Sequence, residues 1–117
     1  MSARPLCAAA ALAMLGLVAV AGGCGNSRRA GPAAAPVPMT ADIADGRRVF
    51  MRNCYACHPA GQGGLGPAIN NKPLPRILMH TQIRQGFGAM PGFNEKDISD
   101  AELDHLLDYV VALRHAK

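Results

Sequence analysis

Cys54-Tyr55-Ala56-Cys57-His58 is the stretch on which the reading of this chain turns. A Cys-x-x-Cys-His run is the attachment sequence for a c-type haem. Two thiols three residues apart can reach the two vinyl groups of one porphyrin and form thioethers. The adjacent His then lies under the ring and supplies one axial nitrogen to the iron. Two other chemistries use part of the pattern. A redox-active dithiol would want a strand leading into a helix around its Cys-x-x-Cys. A zinc site would want a second pair of Cys or His ligands, and the nearest His, His80, stands alone.

Working outward, three helical segments can be read between Asp42 and Lys117, and no stretch alternates as a strand should. The first runs from about Asp42 to Asn53, with Ile43, Val49 and Phe50 apolar. It contains Gly46, which costs about 1 kcal/mol relative to Ala in a helix interior; close approach of another helix is one reason to keep it. A Gly-rich loop, Pro59 to Pro73, carries no hydrophobic period. A middle helix begins near Pro75 and stops before Gly86. The last helix has the clearest signature. Ser99 and Glu102 form a capping box, with Ile98 and Leu103 placed as a hydrophobic staple. Leu103, Leu106, Leu107, Val110 and Leu113 then recur at helical spacing. Arg114, His115 and Lys117 sit at the end that the helix dipole favours for cations.

The sixth iron ligand must come from elsewhere in the chain. Met90 is the leading candidate, because Met90-Pro91 follows the Gly-rich turn Gly86-Phe87-Gly88-Ala89, and a Pro there stiffens the loop. Met51 and Met79 fall in predicted helices and read as packing residues; Met39 belongs to a linker. His80 is the nitrogen competitor, while His105 and His115 lie on the last helix, where exposure is the default. An open sixth site is the remaining alternative.

With these residues in view, residues 42–116 resemble class I c-type cytochromes. The resemblance rests on Cys54–His58, on Gly66-Pro67, on Met90-Pro91, and on a first helix with Gly46 and Phe50 and a last helix with Tyr109. It implies an all-α, small cytochrome c fold in which three main helices surround one covalently bound haem c. It also implies that the first and last helices cross closely at Gly46 beside Phe50 and Tyr109, and that the Pro67 carbonyl orients His58. Cofactor-binding residues would then be Cys54, Cys57, His58, Met90 and Pro67, with His58 and Met90 as the iron ligands. The function implied is one-electron transfer between redox partner proteins, without catalysis. A fixed haem subunit of a larger complex and a haem-based sensor with a labile Met ligand are the alternatives.

The N-terminal part reads differently. Residues 1–23 have Arg4 near the start and an uncharged run from Pro5 to Gly23, the pattern of an export signal. Ala21-Gly22-Gly23-Cys24 resembles a bacterial lipoprotein signal, which would make Cys24 the lipidated N-terminus; Ala21 departs from the Leu favoured there. An uncleaved membrane anchor and simple secretion are the alternatives. Residues 24–40, with Pro32, Pro36 and Pro38, read as a semi-rigid linker, and residues 41–117 as the domain. An exported protein tied to the periplasmic face of a bacterial membrane is expected. Of the four cysteines, haem takes two, lipid one, and Cys7 leaves with the leader.

The formal charge of +4 divides in the same way. From Ala41 onward nine Lys and Arg face eight Asp and Glu, a net of +1, which removes the support for nucleic-acid binding. Six of the eight carboxylates lie between Glu95 and Asp108, whereas Arg47, Arg48, Arg52, Lys72, Arg76 and Arg84 precede the Met loop. That ordering makes either a dipole that steers docking or an ordinary solvated helix face.

Overall fold

A computed structural model describes residues 31–33 and 35–116; the expected leader and Cys24 lie outside them. The described residues form three α-helices, α1 (Ala41–Asn53), α2 (Arg76–Gln85) and α3 (Asp100–His115), and one 3-10 turn at Pro59–Gly61. They contain no strand, and the one isolated bridge joins Phe87 to Met90. The all-α expectation and all three helix positions hold.

Each helix starts and stops for a local reason. Thr40 caps α1, its hydroxyl accepting from the Ile43 amide at 3.3 Å, and Asp42 and Arg52 lie at the ends the dipole favours. Pro75 opens α2, where its missing N–H costs nothing, and Gly86 closes it at φ 74°. Ser99 and Glu102 make both halves of the predicted capping box on α3: Ser99 Oγ accepts from the Glu102 amide at 3.3 Å, and Glu102 Oε2 accepts from the Ser99 amide at 2.9 Å.

The core is the face between α1 and α3. Phe50, Ile98, Leu103, Leu106 and Leu107 are fully buried there, joined by Val49, Tyr109, Val110 and Leu113. Burying each Leu or Phe stabilises the fold by about 1.5–3 kcal/mol. The helices approach most closely at Gly46, where an added Cβ would strike the His105 carbonyl and come within 3.0 Å of the Leu106 nitrogen. The Phe50 and Tyr109 rings flank this crossing, tilted by 58° with centroids 5.3 Å apart. In contrast, α2 buries Met79 alone.

Three features go beyond or depart from the sequence reading. The acidic and basic segments, separated along the chain, meet in space: Arg52 pairs with Glu102, Arg76 with Asp104 and Asp108, and Arg84 with Asp100. Three of the six basic residues that precede the Met loop are thus paired with the acidic segment, which removes the support for a docking dipole. They tie α1 and α2 to α3 through exposed pairs worth about 0–1 kcal/mol each. The C-terminal part of the linker also lies against the domain. Ala33 and Val37 pack on the core, the Ala35 amide donates to the Ala116 carbonyl at 3.4 Å, and the Gly31 carbonyl accepts from Asn70 Nδ2 at 3.0 Å. Met51, read as a packing residue, is 43% exposed because it falls on the outer side of α1; Met79 does pack.

Two measurements check this description. Gly46→Ala should cost about 1–3 kcal/mol, because its Cβ meets backbone that cannot rotate away; chemical denaturation reads it. The bond from the Ser99 amide, followed by that from Arg52, holds the Glu102 carboxyl below its ordinary value of 4.5. A lowered folded value means the stabilisation is complete above pH 4.5 and is lost as pH falls through the folded value. The melting temperature should therefore drop on acidification in that range, and less steeply in Glu102→Gln.

Candidate haem site

The five-residue motif begins where α1 ends. The Cys54 and Tyr55 amides both donate to the Phe50 carbonyl, at 2.8 and 3.0 Å, and the Cys57 and His58 amides both donate to the Cys54 carbonyl, at 3.1 and 2.9 Å. This tight turn sets two free thiols on one short segment, Cys54 half-buried and Cys57 exposed. Burial, reinforced by Cys57 alongside, pushes the Cys54 thiol up to about 11. Both thiols also sit at the negative end of a helix, where a thiolate is disfavoured. A redox-active dithiol needs the opposite placement, at a helix N-terminus with a lowered pKa. The dithiol alternative loses its physical basis here. Among the described residues no cluster of three His, Cys, Asp or Glu side chains is gathered for a zinc ion either.

His58 is 8% exposed, and its Nδ1 lies 2.8 Å from the Pro67 carbonyl oxygen. A carbonyl can only accept, so Nδ1 carries the proton and Nε2 keeps its lone pair. That is the tautomer an iron ligand requires, with a bond from behind that strengthens donation. Gly66 lies flat against the ring: an added Cβ would collide with Cε1 and come within 2.9 Å of both ring nitrogens. The Gly66 amide donates to the Cys57 carbonyl at 2.9 Å, so Gly66-Pro67 and the motif form one unit. Between them Ala60 takes the left-handed conformation at φ 52°, which costs a residue with a Cβ about 1–2 kcal/mol.

Met90 ends a tight turn in which Phe87 and Met90 exchange both backbone hydrogen bonds at 3.0 Å. The Gln82 side-chain amide reaches toward the Met90 thioether, Nε2 to Sδ 4.0 Å. Sequence reading missed Gln82; its polar side chain one turn before the end of α2 was the only signal. His80 is half-buried on α2, His115 is exposed, and His105 stands 3.8 Å from Asp42 and 4.0 Å from Asp45. Elsewhere on the domain Leu65, Ile77, Leu78 and Phe87 expose 82%, 69%, 53% and 79% of their surface. A protein-held imidazole with a free Nε2, two adjacent thiols and a thioether are donors that fit a haem.

Residues 41–110 match the family model described as cytochrome c oxidase, cbb3-type, subunit III. The chain belongs to this family of c-type cytochrome domains. Among curated relatives, it is 34% identical over 82 residues to cytochrome c6 of Synechocystis, covering 62% of this chain and 67% of that protein. It is 31% identical over 80 residues to cytochrome c6 of Cyanidioschyzon merolae, covering 62% and 75%. It is 29% identical over 68 residues to the 4-cresol dehydrogenase [hydroxylating] cytochrome c subunit of Pseudomonas putida, covering 58% and 59%. No solved structure gives a significant match. The chain is thus a class I monohaem cytochrome, binding one covalent haem c and serving electron transfer rather than catalysis.

Gly66→Ala tests the unit around His58. The methyl would displace the imidazole from Pro67, so the yield of low-spin holoprotein should fall several-fold relative to wild type, read from the visible spectrum after c-haem maturation. Met51→Ala, on the outer side of α1, should leave that spectrum in place.

Proposed function

We propose that this cytochrome is a membrane-tethered one-electron carrier of a bacterial respiratory or periplasmic chain. Cys54 and Cys57 form the two thioethers, and His58 and Met90 are the proximal and distal iron ligands. The observation that carries this reading is the bond between His58 Nδ1 and Pro67, which leaves Nε2 as the only free nitrogen of a buried imidazole. The haem supplies a reversible one-electron couple, and His–Met ligation raises its potential relative to bis-His ligation. The chain's part would be to hold the iron through His58 and Met90, which would leave it closed to oxygen and peroxide. Pro67 keeps His58 in one tautomer, and the Phe87–Met90 turn presents the thioether with Gln82 beside it. The acidic face of α3 is occupied by Arg52, Arg76 and Arg84, so partner encounters rely less on charge than the chain order suggests; a carrier needs them brief in any case.

Export rests on residues 1–23, and the lipid anchor on Cys24 after Ala21-Gly22-Gly23. The fixed-subunit reading keeps specific support. The matching family is described by an oxidase subunit, and one relative is named as the cytochrome subunit of a dehydrogenase. Size analysis of the complex extracted from native membranes separates the two: a stoichiometric partner that survives purification favours the fixed subunit, and a free cytochrome favours the carrier.

Ligation is tested on oxidised, c-haem-matured protein. We expect a Met–iron charge-transfer band that Met90→Ala abolishes, with a fall in potential and new carbon monoxide binding to the reduced form. A band that survives Met90→Ala, or rapid carbon monoxide binding by the wild type, would sink the assignment.

A further inference from the structure

Arg114, in the last turn of α3, differs from Arg52, Arg76 and Arg84 in meeting no carboxylate among the described residues. Those three each pair with a carboxylate, although Arg84 also donates to the Phe93 and Ile98 carbonyls and Arg76 to that of Asp104. Arg114 points its guanidinium at main chain. Its Nε donates to the Ile69 carbonyl at 3.1 Å, its Nη1 to the Leu74 carbonyl at 2.9 Å, and its Nη2 faces the Met79 thioether. Burial lowers its pKa. Taking a cation partly out of water is compensated only when its donors are matched, and here two carbonyls from one loop match them.

Those two carbonyls bracket the segment just downstream of Pro67. The segment has no regular structure of its own. Its other ties are the Ile69 and Asn70 amides, which both donate to the Gly61 carbonyl at 2.8 and 3.0 Å, and Asn70 Nδ2, which donates to Gly31. Gly61 in turn lies against the Leu113 side chain, so that an added Cβ would strike it. The last turn of α3 therefore supports the loop from two adjacent residues. Ile69 stands two residues from the carbonyl that accepts from His58.

We infer that Arg114 is a positioning residue for the proximal histidine: by gripping the Ile69 and Leu74 carbonyls it fixes the loop that carries the Pro67 carbonyl to His58. The inference rests on the proposed ligation by His58. Arg114 touches neither His58 nor the ring; it acts through the loop. A lysine keeps the charge but loses the planar fork that reaches two carbonyls at once, so Arg114→Lys should repair the loop only in part.

The test compares matured wild type with Arg114→Met, Arg114→Lys and Arg52→Met, the last breaking another tie to α3. Three quantities are read: amide hydrogen exchange at Ile69 and Asn70, the reduction potential, and the haem-methyl proton pattern of the oxidised form, which follows the orientation of the axial histidine. Arg114→Met should speed exchange at Ile69 and Asn70 about tenfold and shift both the methyl pattern and the potential. Arg114→Lys should fall between, and Arg52→Met should leave all three at wild-type values. A lower melting temperature in Arg114→Met with the methyl pattern and potential unmoved would overturn the inference and leave Arg114 a structural residue. Should Arg114→Met give no holoprotein, Arg114→Lys decides: shifted values support the role and wild-type values overturn it. A wild type with no histidine-ligated spectrum would instead fail the ligand assignment, and that is seen before any variant is compared.

Discussion

Outside the α1–α3 core, Leu65, Ile77, Leu78 and Phe87 expose half or more of their surface, and no further helix among the described residues lies over them. Burying that surface is the constraint on which the rest of the domain depends. The helix most affected is α2, ten residues long with Met79 as its single buried side chain. A helix of that length is marginal in water by itself; the exposed ion pairs of Arg76 contribute little, and Arg84 ties its end to the Phe93 and Ile98 carbonyls. A covalently held porphyrin would supply an apolar body, in a domain without Trp and without a disulfide to stiffen it. Fold and cofactor are therefore one problem here, because the thioethers that bring electron transfer also complete the core.

The protein-only half of the core is what makes the haem site directional. Gly46 lets α1 and α3 cross at backbone distance, and the C-terminal end of each helix then leads toward the surroundings of His58. From α1 the chain turns directly into Cys54–His58; from α3, Leu113 and Arg114 reach the loops that follow it. The imidazole is caught between them, its Nδ1 bound to Pro67 and its face against Gly66. Met90 comes from a separate turn after α2. The two proposed iron ligands thus hang from different supports, a helix pair for His58 and a short turn for Met90.

Local rules made much of this legible. The capping box at Ser99 and Glu102, the period from Leu103 to Leu113 and the punctuation by Pro75 and Gly86 each act over a few residues, and each appears where its chemistry places it. Gly46 was readable as a helix contact because a glycine in a helix carries a cost that needs a return. What could not be read is what depends on two distant segments meeting. The order of Arg52, Arg76 and Arg84 along the chain left a docking dipole and a solvated helix face both open, and folding brings these residues onto the acidic face of α3. Arg114 looked like a cation favoured by the helix dipole, but its partners are carbonyls 40 and 45 residues away in the chain. Residues 24–40 read as a semi-rigid linker, and their composition says nothing of the small contacts at Ala33, Val37 and Gly31.

The most direct measurement of the shared role of haem and core is thermal unfolding, followed by far-ultraviolet circular dichroism, of matured protein beside a Cys54→Ala/Cys57→Ala chain that cannot form the thioethers. The account predicts that the haem-free chain has less helix, with α2 lost first, and unfolds without a sharp transition. A haem-free chain with the same helix content and the same melting temperature as the holoprotein would contradict it.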